Sequence, residues 1–85
     1  GDEKDLYTSF LIAENVNLIS VAEINEPMRI TAKTRYSQNE QPATVSAIGN
    51  NQYLVEFDKP QRAITSGQAV VFYNDDVVVG GGTIK

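Results

Sequence analysis

The amino-acid sequence predicts an all-β domain, a small closed antiparallel barrel of six or seven strands. Three observations point there. Apolar residues recur with a period of two in the runs long enough to judge, which is the spacing of a strand with one buried face. Short apolar runs are separated by clusters of Gly, Asn and Asp, residues that tolerate the positive φ of tight turns. No segment carries a convincing helical period, and closure lets many short strands coexist without exposed edges.

The elements follow in order. Leu6 to Ala13 and Val16 to Val21 are two weaker strand candidates around Glu14-Asn15. A helix competes over Val16 to Glu26, but the β-branched content and Pro27 count against it. Arg29 to Tyr36 alternates strictly: Ile30, Ala32, Thr34 and Tyr36 face one way, and Arg29, Thr31, Lys33 and Arg35 the other. Ala43 to Ile48 and Gln52 to Asp58 form a hairpin about Gly49-Asn50-Asn51, with Tyr53, Val55 and Phe57 inward and Glu56 and Asp58 outward. Ala69 to Tyr73 is apolar on both faces, as suits a well-covered strand, and Val77 to Val79 returns antiparallel after Asn74-Asp75-Asp76. Gly80-Gly81-Gly82 permits a bulge, a sharp corner or the close approach of another backbone, and a barrel corner is the leading reading.

Residues 1–85 make a single domain, and a chain this short buries only about two-thirds of the surface it exposes unfolded. It has no cysteine and no histidine, which removes disulfides, thiolate chemistry and the commonest general base and metal ligand. No apolar run approaches the roughly 20 residues that span a bilayer, and no signal-peptide pattern opens the chain. A cytoplasmic location with no membrane partner is expected. The opening Gly1-Asp2-Glu3-Lys4-Asp5 reads as the start of an accessory domain taken from a longer protein. The net charge is −4, whereas an autonomous nucleic-acid binder usually has a basic balance. The charges are unevenly spread: six acids and one lysine precede Pro27, while Met28 to Tyr36 holds three basic residues and no acid.

Little in the sequence carries catalytic chemistry. A phosphate-binding reading of the three glycines needs a helix N-terminus after them, and only Thr83-Ile84-Lys85 follows. Asp75-Asp76 reads as turn chemistry before it reads as a cation site. Ser66 has no histidine to activate it. The basic set is more informative. Arg29, Lys33 and Arg35 share one strand face, Tyr36 and Gln38 follow at its end, and Lys59 and Arg62 come from another connection. Arg and Lys contact phosphates, and tyrosine stacks on an unpaired base. The plainer alternative is a solvated strand face, with Arg62 paired to Asp58 or another acid.

At Lys33-Thr34-Arg35-Tyr36-Ser37-Gln38, and again from Phe57 through Pro60-Gln61-Arg62-Ala63 to Tyr73, the chain closely resembles the C-terminal domain of bacterial tRNA-specific 2-thiouridylases. The likeness continues through Asn74-Asp75-Asp76 into Gly80-Gly81-Gly82-Thr83-Ile84, and Leu11 to Asn17 looks like the family's opening strand region. Leu18, where many members have an aromatic residue, and Ser66, where proline is frequent, depart from the pattern at the level of packing and turn. The resemblance implies a barrel similar to the second domain of translation elongation factors. It implies a parent enzyme that uses ATP to adenylate the wobble uridine of tRNA and delivers persulfide sulfur from a cysteine, supplied by a sulfur-carrier protein. The ATP-binding loop and working cysteines would lie in a catalytic domain of the same longer chain, so no catalytic, cofactor or metal residue is expected here. The barrel would help hold tRNA or brace that catalytic domain. Candidate RNA-contacting residues are Lys33, Arg35, Tyr36, Gln38, Gln61 and Arg62; the alternative is a purely structural or protein-interaction barrel without RNA contact.

Overall fold

A computed structural model describes residues 7–34, 39–62 and 66–85. It contains six strands: β1 (Tyr7–Leu18), β2 (Met28–Thr34), β3 (Gln41–Gly49), β4 (Gln52–Arg62), β5 (Ala69–Asn74) and β6 (Val77–Ile84). They close into an antiparallel barrel in the order β1-β4-β3-β2-β5-β6. The meander β2-β3-β4, with β1 returning beside β4, is a Greek key. None of the described residues belongs to a helix long and apolar enough to cross a membrane.

The alternation read in β2 holds over its described length: Ile30, Ala32 and Thr34 are buried, while Arg29 and Lys33 are exposed. In β4, Val55 and Phe57 are buried as expected, and Tyr53 packs against the core half-buried. β1 differs from expectation. It is one strand, not two, because Asn15 adopts a left-handed conformation (φ 52°) inside it. The register slips between Glu14 and Asn17, so the predicted break is a bulge. The bulge redirects β1: residues from Tyr7 to Ala13 pair with β4, and those from Ala13 to Leu18 pair with β6. Val21, expected in the second candidate strand, lies in the connection after Leu18. That connection crosses one end of the barrel to reach β2, and its Ile24 is buried in the core.

The interior is filled by setting large residues against small ones. Phe72, the largest fully buried side chain, has Ala32 opposite it on one side and Gly80 on the other. Phe57 lies opposite Ala43. The three glycines do not end a strand. All lie within β6, and the space their side chains would need is occupied by neighbouring backbone. A Cβ on Gly80 would stand 2.6 Å from the Asn17 carbonyl oxygen of β1, one on Gly81 2.8 Å from the Val70 oxygen of β5, and one on Gly82 2.7 Å from the Glu14 oxygen of β1. Of the options open in the sequence, close backbone approach holds at all three, and a register shift against β5 adjoins Gly80, between Phe72 and Tyr73.

Antiparallel pairing gives the barrel two distinct ends. The far end carries the β1–β2 connection, the Asn50-Asn51 turn and the Asp75-Asp76 turn. The near end gathers the start of β1, the last residues of β2 and β4, and the end of β6.

Candidate nucleic-acid interface

The outward face of β2 begins with Arg29, and this side chain is already engaged. Its Nη1 and Nη2 donate to the two carboxylate oxygens of Asp58 on β4, each at 2.7 Å. Nη1 also donates to the Thr44 hydroxyl of the intervening β3 at 3.1 Å. The three strands place these residues in one row across the sheet, since Arg29 pairs with Thr44 and Thr44 with Glu56, two residues before Asp58. Asp58, which the sequence offered as a partner for Arg62, therefore has both oxygens occupied by Arg29.

Hydrogen bonding to Arg29 holds the Asp58 carboxyl below the usual carboxylate range; desolvation opposes this, and the guanidinium charge adds a smaller lowering. The same bond raises the Arg29 guanidinium further above its ordinary value. A lowered carboxyl pKa contributes stability that is fully present above the unfolded value and is lost as pH falls through the folded one. The stability difference between the native chain and Asp58→Asn is accordingly expected at neutral pH, to shrink below about pH 4, and to close once Asp58 is protonated. Paired urea titrations across that range measure it. The pair is exposed on both sides, so the effect is small and salt-sensitive.

With Arg29 spoken for, the other described cations collect at the near end. Lys33 is exposed one residue before β2 ends, Lys59 is exposed near the end of β4, and Lys85 is exposed just past β6. The Gln61 side-chain amide donates to the Lys59 carbonyl at 2.8 Å, which anchors Gln61 alongside that lysine. Arg62 is the last residue of β4, and its backbone pairs with Tyr7. Arg35, Tyr36 and Gln38 lie outside the described residues. The fold thus brings Lys33 to the same end as Gln61 and the backbone of Arg62. It adds Lys85, which sequence reasoning passed over: only the pairing of β6 with β1 carries a residue after the last strand to this end. Glu40 is the described acid nearest in sequence to this end of β2, and it accepts a hydrogen bond from the Thr31 hydroxyl.

The far end has the opposite character. Glu23, Glu26, Asp75 and Asp76 are all exposed there. Residues 18–28, 49–52 and 74–77, which build this end, include no lysine or arginine. Among the described residues, Lys33, Lys59 and Lys85 thus lie at one end, together with Glu40, and Glu23, Glu26, Asp75 and Asp76 at the other. Among the described residues, no group of three or more His, Cys, Asp or Glu side chains is placed to hold a metal ion.

The closed barrel agrees with the class of domain whose sequence model the chain matches, the aminomethyltransferase β-barrel domain. The family's model matches residues 8–84, and the chain belongs to that family. Over all 85 residues the chain is 49% identical to the tRNA-specific 2-thiouridylase MnmA of Clostridioides difficile (strain 630). It is 48% identical to the proteins of the same name from Acetivibrio thermocellus and Halothermothrix orenii. In each case the whole chain is covered, and it spans 24% of the relative's length.

Proposed function

We propose that this chain is a non-catalytic barrel of a tRNA 2-thiouridylase, and that its near end helps hold tRNA while residues elsewhere in a longer chain thiolate the wobble uridine at the expense of ATP. The observation that carries this reading is the axial separation of charge. Lys33, Lys59 and Lys85 sit at one end with Gln61 and the Arg62 backbone, and four exposed acids sit at the other. Phosphate contacts are made by such lysines and arginines and orient a protein on nucleic acid without reading sequence. Arg35, Tyr36 and Gln38 lie within four residues of Thr34 in the sequence and belong to the same candidate set; a tyrosine can stack on an unpaired base. Names of the relatives supply tRNA as the substrate class. ATP and a sulfur-carrier protein belong to the catalytic part of the parent in this reading, and the barrel contributes positive charge and shape.

Equilibrium titration of tRNA at several salt concentrations tests it. Roughly three phosphate contacts give a log–log salt slope of about −2 to −3. Lys33→Ala combined with Lys59→Ala is expected to flatten that slope by about one to two and to weaken binding at low salt. Glu23→Ala combined with Asp76→Ala at the far end serves as the control and should not weaken binding. Absence of salt-dependent binding by the chain, together with unchanged tRNA affinity of the longer enzyme carrying the two lysine substitutions, would reject the RNA role.

A further inference from the structure

The outward positions of β1 and β4 are unlike those of β2. Where β2 presents Arg29, Thr31 and Lys33, β1 presents Phe10 and Ile12 and β4 presents Leu54. Phe10 is 52% exposed. Ile12 lies directly opposite Leu54 in the pairing, and both are half-buried next to inward residues that are fully or nearly buried, Leu11 and Ala13 on one strand and Val55 on the other. Beside them runs a notch whose lining includes Thr8, Phe10, Ile12, Ser66, Ile84 and Lys85. Ile12 and Leu54 cover each other across the two strands, and Phe10 stands exposed beside them on the outside of the barrel. Apolar surface grouped in this way is the kind that interaction sites use.

We propose that the outer face of β1 and β4, centred on Phe10, Ile12 and Leu54, is the surface on which the part of a longer 2-thiouridylase chain preceding the barrel packs, through an apolar patch bordered by Lys or Arg. This rests on the functional reading above, and it assigns that reading's second partner to the β1–β4 face, which adjoins the near end at Lys85. Three observations select the occupant. Two acids border the patch on the strands that carry it: Glu14 is outward on β1 and Glu56 lies opposite Phe10 on β4, while Lys85 lines the notch on the β6 side. Along β1 and β4 the acids repel phosphate and attract a cationic protein rim. The same border disfavours a second copy of the chain, because a two-fold contact sets the patch, acids included, against itself. Finally, a chain entering the barrel at Tyr7 is three residues from Phe10, roughly 10 Å at strand rise. A preceding domain therefore emerges beside this face, and the relatives are about four times as long as this chain, which covers 24% of them.

The chain contains no cysteine, so single introduced cysteines report the accessibility of each site. Maleimide labelling of Phe10→Cys, Leu54→Cys and the far-end control Asp76→Cys is compared between the 85-residue chain and the longer enzyme carrying it, read peptide by peptide by mass spectrometry. At least tenfold slower labelling at positions 10 and 54 in the longer enzyme, with position 76 unchanged, is the expected result. Equal rates in the two contexts overturn the proposal. So does protection that appears only when tRNA is added, which makes RNA the occupant, or protection in the short chain that rises with its concentration, which makes the occupant a second copy. An active enzyme with unshielded positions sinks the docking face alone. An enzyme that shields them yet thiolates no uridine leaves the face standing and sinks the functional reading.

Discussion

Phe72→Ala is expected to lower the unfolding free energy toward the upper end of the about 3–5 kcal/mol that a buried phenylalanine usually costs. The size follows from the neighbours. Phe72 is fully buried, and across the two adjoining strands it faces Ala32 and Gly80. Neither residue has a side chain that can swing into the vacated space, so the cavity persists, and the cost of such substitutions grows with residual cavity volume. The closed ladder on both sides resists collapse of the backbone. For a domain whose total stability is of order 5–10 kcal/mol, the loss leaves little margin. Urea unfolding should show a lower midpoint with an unchanged slope. A loss below about 1 kcal/mol would mean that the ring is not the keystone of this interior.

Gly82→Ala tests the glycine seam by the sign of its effect. Gly82 has an ordinary negative φ, so backbone entropy alone predicts that alanine stabilises the strand by about 0.5–1 kcal/mol. Steric contact predicts the reverse. The new methyl would stand 2.7 Å from the Glu14 carbonyl oxygen and 2.8 Å from Val16 Cγ2. The first is backbone of a paired strand, and the second belongs to a β-branched side chain with little rotamer freedom, itself in the core. Relief requires β1 and β6 to separate at the seam. Destabilisation of about 2–3 kcal/mol is the expected outcome, in the range of overpacked cores. Thermal or urea unfolding decides it, and an unchanged or raised stability would show that the seam is looser than the close contacts imply.

Parts of this architecture were legible before any coordinates. Period-two alternation located β2 and the β3–β4 hairpin because one face of each is buried and burial enforces the register. Asn74-Asp75-Asp76 announced its turn through residues that accept positive φ, and Asp75 does adopt it (φ 55°). The same chemistry misled at Asn15. An asparagine in a left-handed conformation looks alike in sequence whether it ends a strand or bulges one, and only the pairing partners on either side tell the two apart. Gly80 to Gly82 were legible as unusual, but the cause lies in Glu14, Asn17 and Val70, which sit far away along the chain. The candidate interface was half visible. Lys33 and the Gln61-Arg62 pair stood out locally, yet their sharing of an end with Lys85, the diversion of Arg29 to Asp58 and the emptiness of the far end of cations all depend on which strands neighbour which. Leu54 escaped notice as an outward apolar residue because its neighbours Tyr53 and Val55 carried the inward pattern.

The seam between β1 and β6 has a consequence for biosynthesis. The barrel's first strand waits for its last, since Glu14, Asn17 and Leu18 find their strand partners only in Gly80 to Thr83. Until then the nascent polypeptide carries a β1 margin with open donors and acceptors, the kind of margin that invites pairing with other chains. Loop closure over most of the sequence also slows the final step. A ribosome-stalled product lacking β6 should thus remain protease-sensitive and prone to clumping, and resistance should arrive abruptly when the final strand emerges.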